Sequence, residues 1–274
     1  MENISQTQSS SAQRYFPRGL YQPPGSFRFS IDALLLASFA GQCSFPPAGS
    51  EELNLLDLGC GCGVVAFALM LRNPRFMALG LDMQEELVQA ARVNAQKLGF
   101  GQRYQAVQIN LESVLTKDDY AQLCAGYINT AAKAQHLVTA NPPYRLSGSG
   151  HLPGSRSRGQ ALFGGELNLK AFVRVAALTL TATGFFCLIF PFARSEELFL
   201  CLEEYELHPV RELRIYNKAG TKDDSPPAFI LVASQRQKAP HLKIDQLILY
   251  CGAGADTVLT DEALSFCPFL ACNV

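Results

Sequence analysis

The chain has 274 residues, of which 48% are hydrophobic and 17% are charged, and its formal net charge is −1. This composition is typical of a globular protein with a sizeable core and excludes a disordered chain. The near-zero charge gives no global attraction to nucleic acid, so any such contact has to come from a local patch. The longest apolar runs, Ala33 to Ala40 and Gly184 to Phe192, are too short to cross a bilayer, and we expect no membrane partner.

The nine cysteines include no C-x-x-C pair, and only four histidines are present. Cys60 and Cys62 are close in sequence, but a zinc site needs wider spacing and more ligands, so we expect no metal. An odd cysteine count in a chain of this size favours a reducing compartment. The stretch from Ser5 to Ser11 is polar where a signal peptide would be apolar. The sequence therefore predicts a cytoplasmic protein.

Residues 1–26 are rich in Ser, Gln, Pro and Gly and show little periodicity, which predicts a flexible N-terminal arm. Its arginines could grip phosphate, but a solvated tail is the favoured interpretation. A buried helix is predicted to begin after Ser30 or Asp32, both good N-cap residues, and to run through Phe39.

Strands and helices then alternate. Helices are predicted at Val64–Leu71, Gln84–Leu98, Leu111–Tyr127, Leu167–Leu180 and Ser195–Glu206. Strands are predicted at Leu53–Leu58, Phe76–Leu81, Tyr104–Ile109, Gln135–Ala140, Phe185–Phe190, Val210–Tyr216 and Phe229–Ala233. This order predicts an α/β fold with a doubly wound, mostly parallel seven-stranded sheet, in which one of the last two strands is antiparallel. We expect a single domain over residues 27–274, with small additions at both ends. The C-terminal extension, from about residue 239, has a further strand at 242–250 and a helix or loop at 261–269.

A glycine-rich turn, Asp57-Leu58-Gly59-Cys60-Gly61-Cys62-Gly63, lies where the first of these strands meets its helix. Glycines allow a tight turn there and let a ligand lie against bare backbone near the positive end of the helix dipole. The spacing departs from the dinucleotide pattern G-x-G-x-x-G, and no Gly-Lys-Ser/Thr follows, which excludes a triphosphate loop. The acidic Asp57 disfavours a pyrophosphate and suits a cationic ligand.

Polar residues also end the next two strands. Asp82 stands 19 residues after Gly63, where a carboxylate can accept hydrogen bonds from both ribose hydroxyls. Asn110 ends the third strand, in place to hydrogen-bond an adenine edge. A cationic ligand with an adenosine and an amino-acid tail is S-adenosylmethionine, which we predict as the cofactor. The residues predicted to bind it are Asp57, Gly59, Gly61, Gly63, Asp82, Asn110, Leu111 and Asn141.

The fourth strand runs into Asn141-Pro142-Pro143-Tyr144, the predicted catalytic residues. The two prolines turn the backbone stiffly out of the sheet. An exocyclic amine on an aromatic ring is a poor nucleophile, because its lone pair is delocalised. Asn141 Oδ1 and the Pro142 carbonyl could accept its two hydrogens and direct the lone pair at a methyl donor. Tyr144 offers a face on which a flipped-out base can stack.

With these motifs the chain resembles class I methyltransferases with a Rossmann-like fold that act on planar nitrogens. It is most similar to the bacterial tRNA (adenine-N6) methyltransferases that modify a valine tRNA. The resemblance rests also on residues 30–36, 184–187 and 259–270. It implies transfer of a methyl group from S-adenosylmethionine to N6 of an adenine in RNA, with tRNA as the partner, by a monomeric enzyme.

Three other functions share parts of this pattern. Enzymes that methylate a glutamine amide in a release factor use the same four residues, but they usually carry a larger helical domain before the glycine turn. A DNA adenine methyltransferase would need a sizeable recognition domain, and none is evident here. The rRNA guanine methyltransferases typically have Phe in place of Tyr144. A protein that binds S-adenosylmethionine and RNA without catalysis is the alternative from another class. Basic residues of the Arg145 to Arg158 loop, and Lys218 with Lys222, are open candidates for contacts with RNA.

Overall fold

The computed structural model of the protein describes residues 11–26, 28–45, 52–125, 134–142, 166–218, 226–252 and 254–273. Most of the described chain forms one sheet with helices on both of its faces. The strands in chain order are β1 (Leu53–Leu58), β2 (Phe76–Asp82), β3 (Tyr104–Gln108), β4 (Gln135–Ala140), β5 (Leu180–Pro191), β6 (His208–Lys218), β7 (Phe229–Gln235), β8 (Lys243–Cys251) and β9 (Val258–Leu259).

Within the described ranges the sheet has the order β3-β2-β1-β4-β5-β7-β6-β8-β9. The first five strands in this order pair in parallel, whereas β7 is antiparallel to both β5 and β6. The predicted doubly wound, mostly parallel α/β sheet, in which one of the last two of seven strands is antiparallel, is therefore confirmed. Two more strands extend this sheet: β8, which the sequence predicted over 242–250, lies parallel to β6, and β9, which was not predicted, pairs antiparallel with β8.

The helices cover the sheet from both sides. They are α1 (Ile31–Ala40), α2 (Val64–Arg72), α3 (Glu85–Lys97), α4 (Lys117–Leu123), α5 (Glu166–Thr179), α6 (Ser195–Glu204) and α7 (Asp261–Phe266). One apolar cluster joins α1, α2, α3 and α7 to one face of the sheet. A second cluster joins α4, α5 and α6 to the other face. The alternation of side chains along β1 explains this division, because Leu53 and Leu55 enter the first cluster while Leu56 and Leu58 enter the second.

The single helix predicted over Leu111–Tyr127 is wrong in the described part of that range. Residues Leu111–Ser113 form a 3-10 turn, and α4 begins only after Thr116. The Thr116 hydroxyl accepts a hydrogen bond from the Asp119 N–H, and the Asp119 carboxylate accepts one from the Thr116 N–H. This capping box starts a new helix at a point that apolar periodicity does not mark.

Residues 11–26 pack against the domain, although the sequence predicted a flexible arm over residues 1–26. Phe16 is 2% exposed, and its ring centroid lies 5.2 Å from that of Phe269. Gln13 Nε2 donates to the Leu98 carbonyl at 2.6 Å. The packing arises because the apolar residues of the segment, spaced too irregularly to form a pattern, meet the C-terminal turn.

The C-terminal residues pack on the same side of the molecule as residues 11–26. The Thr260 hydroxyl caps α7, and a 3-10 turn over Pro268–Asn273 follows. Cys267 and Leu270 are buried against the first apolar cluster. Among the residues described, no helix is both long and apolar enough to cross a membrane.

Candidate functional site

The carboxyl ends of β4, β1, β2 and β3 lie side by side and bring most of the predicted site residues to one edge. Leu58 pairs with Ala140 on one side and with Leu81 on the other, so Asn141, Gly59 and Asp82 follow in a row. Asp82 pairs with Gln108, which places Asn110 at the end of the row. Neighbouring strands are about 4.8 Å apart, so the row spans roughly 15 Å. This edge is where open α/β sheets bind their ligands.

The glycine turn is left-handed at three positions, with φ of +66° at Gly59, +54° at Gly61 and +90° at Gly63. A Cβ on Gly63 would lie 2.4 Å from the Phe67 ring, so Gly63 is needed for the packing of α2 on the turn. A Cβ on Gly61 would meet no atom of the described residues within 4 Å. The turn therefore exposes bare backbone to open space at Gly61, as a loop that holds a ligand requires.

Asp82 is attached to this turn by its own side chain. Its two carboxylate oxygens accept hydrogen bonds from the Gly61 N–H and the Gln84 N–H, each at 2.9 Å. The side chain is 7% exposed, and burial raises its pKa while the backbone donors oppose the rise. Each carboxylate oxygen can accept more than one hydrogen bond, so Asp82 keeps acceptor capacity for a ligand hydroxyl.

Asp57 is buried at 2% exposure below the turn. Its Oδ1 accepts a hydrogen bond from the Thr139 hydroxyl at 2.7 Å. Burial raises the pKa of Asp57 to about 7, and the hydrogen bond from Thr139 opposes that rise. The other oxygen, Oδ2, is buried and has no hydrogen-bond partner of normal geometry among the described residues. A carboxylate buried beneath the turn suits a cationic ligand above it.

Asn110 and Leu111 lie at the β3 end of the row. Asn110 is exposed, and its Oδ1 accepts from the Glu112 N–H at 3.0 Å, which caps the short turn that begins at Leu111. The acceptor half of the amide is therefore engaged locally, and the NH₂ half is the part suited to a ligand acceptor. Leu111 is 7% exposed and belongs to the second apolar cluster.

Asn141 is partly exposed and Pro142 is buried, directly after the buried strand β4. Pro143 and Tyr144 lie outside the described residues, as does the whole predicted loop from Arg145 to Arg158. Of the basic residues proposed for the β6–β7 connection, Lys218 ends β6 and is exposed, whereas Lys222 lies outside the described residues.

Two residues at this edge were not singled out from the sequence. Thr139 stands between apolar residues in the second half of β4, and a lone hydroxyl at that position was the signal that could have identified it. Asn94 of α3 is fully buried. Its side chain exchanges hydrogen bonds with the backbone N–H and carbonyl of Tyr21 and donates to the Cys62 carbonyl at 3.1 Å. Asn94 thus ties the N-terminal segment to the glycine turn.

The two cysteines of the turn are buried, and burial raises the pKa of both thiols, that of Cys62 to about 12. They are therefore neutral thiols rather than thiolate ligands near pH 7. No group of three or more potential metal ligands occurs within the ranges that the structure describes.

Comparison with known proteins identifies the class of enzyme. The family model described as "Methyltransferase domain" matches residues 50–146, which include the glycine turn, Asp82 and Asn141. A solved structure described as a predicted O-methyltransferase from Agrobacterium tumefaciens superimposes with a TM-score of 0.60. It is 17% identical and covers 87% of this chain and 96% of its own, so it shows the fold. The chain has the fold of class I methyltransferases, and its residues 50–146 match a methyltransferase domain.

Curated relatives extend over most of this methyltransferase. A protein of Flavobacterium johnsoniae is 22% identical over 83% of this chain and 86% of its own. A protein of Pedobacter heparinus is 25% identical over 88% of this chain and 93% of its own. Both are named tRNA1(Val) (adenine(37)-N6)-methyltransferase, so the resemblance stated from the motifs is confirmed.

The match to a methyltransferase domain supports S-adenosylmethionine, the cofactor that the sequence predicted. The described residues fit that molecule: the buried carboxylate of Asp57 suits a cation, the backbone at Gly61 is open, and Asp82 retains acceptors for hydroxyls.

Proposed function

We propose that the protein transfers a methyl group from S-adenosylmethionine to the exocyclic N6 amine of an adenine in tRNA. The observation that carries this proposal is the place of Asn141 and Pro142, which leave β4 directly beside the glycine turn. There a target nitrogen and the donor can meet. The relatives named as tRNA adenine-N6 methyltransferases support the choice of adenine and of tRNA.

The residues of the tetrad prepare the amine. Asn141 Oδ1 and the Pro142 carbonyl accept the two amine hydrogens, which draws the nitrogen toward a tetrahedral shape and frees its lone pair. Pro143 has no N–H that could compete for these acceptors. Tyr144 stacks on the flipped-out base. S-adenosylmethionine, when bound, supplies the methyl group as an electrophile. A strong general base is not required, because the amine proton becomes acidic once the nitrogen is alkylated.

The cofactor is held by the row of strand ends. Asp57 attracts its cationic part, Gly59, Gly61 and Gly63 shape the turn on which it lies, and Asp82 accepts from the ribose hydroxyls. Asn110 and Leu111 border the adenine, with the Asn110 NH₂ group as donor. Asn141 also contacts the cofactor, since it follows β4 next to Gly59. These roles suit an enzyme that works as a monomer in the cytoplasm, with RNA as its macromolecular partner.

The test uses purified protein, radiolabelled S-adenosylmethionine and tRNA transcribed without modifications. We expect label in the RNA and N6-methyladenosine after digestion to nucleosides. Asn141→Ala is expected to lose more than 99% of turnover, because one of two acceptors for the amine is gone, while calorimetry shows that it still binds the cofactor. Normal turnover by Asn141→Ala would contradict the mechanism. Label in a release-factor glutamine, with none in RNA, would contradict the substrate and favour the amide-methylating alternative.

A further inference from the structure

Thr139 occupies a position where an apolar side chain would be expected. It lies on β4 between Val138 and Ala140 and is fully buried. In the parallel register of β4 and β1, Thr139 stands opposite Asp57. Both side chains point to the face of the sheet that α1 and α2 cover, because Leu55 and Leu137 enter the apolar cluster on that face and side chains alternate along a strand. A valine would fill the same volume, so the hydroxyl is what distinguishes this residue.

The Thr139 hydroxyl has one proton, which it donates to Asp57. The Thr139 Oγ1 to Asp57 Oδ1 distance is 2.7 Å, a normal length for a charge-assisted hydrogen bond. The second oxygen, Oδ2, is buried and has no partner of normal geometry among the described residues. The Ala66 N–H, in the first turn of α2, also favours the charged form of Asp57. Both donors thus stabilise a buried negative charge directly beneath the glycine turn.

We propose that Thr139 is a positioning residue for the cofactor: its hydroxyl keeps Asp57 as an oriented carboxylate whose negative charge attracts the cationic part of S-adenosylmethionine. The proposal deepens the proposed function and rests on it for the identity of the cofactor, but it does not depend on the RNA. It also links the two halves of the site, because Asn141 follows Thr139 by two residues on the same strand end. One short stretch of chain thereby orients the cofactor ligand and presents the catalytic amide.

The charge state of Asp57 makes this role measurable. Burial and the nearby Asp82 raise the pKa of Asp57 to about 7, and the hydrogen bond from Thr139 is the largest influence that lowers it. Loss of the hydroxyl therefore raises the pKa above 7 and leaves Asp57 mostly neutral at pH 7. Each unit of increase lowers the charged fraction about tenfold once the pKa exceeds the pH. Affinity that depends on the carboxylate falls in the same proportion and recovers at higher pH.

The other titratable groups near Asp57 do not obscure its titration. Burial raises the pKa values of Cys60 and Tyr104 well above their usual range and that of Cys62 to about 12, so these groups stay neutral below pH 9. Cys187, opposite Thr139 on β5, also has a pKa raised well above its usual range. On α1, Asp32 accepts a hydrogen bond from the Ser30 hydroxyl. Asp82 has a raised pKa and is the other carboxylate at the turn, and it is unchanged in every variant below.

The experiment measures S-adenosylmethionine affinity by calorimetry, without RNA, from pH 6 to pH 9 for the full chain and two variants. Thr139→Val removes the donor and keeps the shape. We expect its affinity to be about fivefold lower at pH 7 and to approach that of the parent protein by pH 9, so the midpoint of its profile moves up by about one unit. Thr139→Ser retains the hydroxyl and is expected to keep the parent midpoint.

Thermal unfolding reports whether each variant is folded, and Thr139→Ala replaces Thr139→Val if the latter does not fold. A loss of affinity that is equal at every pH would show a merely structural role and overturn the proposal, as would an unchanged profile. If the parent protein binds S-adenosylmethionine with these profiles yet methylates no RNA, the proposed function fails and the role of Thr139 stands. If RNA is methylated and Thr139→Val behaves as the parent, only the role of Thr139 fails.

Discussion

Gly61 offers the sharpest test of where the cofactor lies, because the chain contains a matched control for its backbone strain. Gly61 and Gly19 both have positive φ, +54° and +82°, and a Cβ on either would meet no described atom within 4 Å. Alanine in the left-handed region costs about 1–2 kcal/mol, so Gly61→Ala and Gly19→Ala should lower the free energy of unfolding by similar amounts. Only at Gly61 does the new methyl group enter the space in which we place the cofactor.

We therefore expect Gly61→Ala to lose at least tenfold in S-adenosylmethionine affinity and Gly19→Ala to lose none. Calorimetry measures the affinities, and urea unfolding of the ligand-free proteins measures the stabilities. Gly63→Ala serves as a comparison in which the new methyl group has no space. Its Cβ would lie 2.4 Å from the buried ring of Phe67, so overpacking lowers the free energy of unfolding by about 1–3 kcal/mol in addition to the backbone strain. Parent-like affinity in a folded Gly61→Ala would refute the placement of the ligand on the glycine turn.

Two further predictions concern buried polar groups. Asn94→Ala removes the hydrogen bonds to Tyr21 and Cys62 and leaves buried backbone groups unpaired. Urea unfolding should therefore show that the free energy of unfolding falls by about 2–4 kcal/mol. A fall of less than about 0.5 kcal/mol would show that the N-terminal segment is not held by this residue. Asp57 has a folded-state pKa of about 7, above its ordinary value of 3.8, so the folded protein binds more protons than the unfolded chain between these values. The stability of the ligand-free protein should therefore fall by a few kcal/mol as the pH rises from about 4 to 7. Asp57→Asn should lack this contribution, and an identical pH dependence in both proteins would contradict the pKa assignment.

The first two strands could be predicted from sequence because each is a short, mostly apolar run that is followed by a glycine or ends at a polar residue. Strands β1 and β4 have the predicted limits, Leu53–Leu58 and Gln135–Ala140. Asp82 is the last residue of β2, beside the glycine turn. The register of these runs then placed Gly59, Asp82 and Asn141 at one edge, since the carboxyl ends of parallel strands share an edge. The site was thus predictable to the extent that it follows from strand order.

Contacts between distant parts of the chain could not be predicted in this way. The pairing of Thr139 with Asp57 joins residues 82 positions apart, and that of Asn94 with Tyr21 joins residues 73 positions apart. Neither pair shows a local pattern, because a buried polar residue is satisfied by whatever the fold brings beside it. The packing of Phe16 on Phe269 is of the same kind. The prediction of a single helix over 111–127 failed for a local reason. The capping box at Thr116 starts a new helix there, and periodicity alone does not reveal it.

The most direct test of the central claim is nucleoside analysis of unmodified tRNA after incubation with the protein and S-adenosylmethionine. The parent protein is expected to produce N6-methyladenosine, and Asn141→Ala is expected to produce none while it still binds the cofactor. Methylated guanosine in the RNA, or S-adenosylmethionine binding by the parent protein without any methylated adenosine, would contradict the proposal.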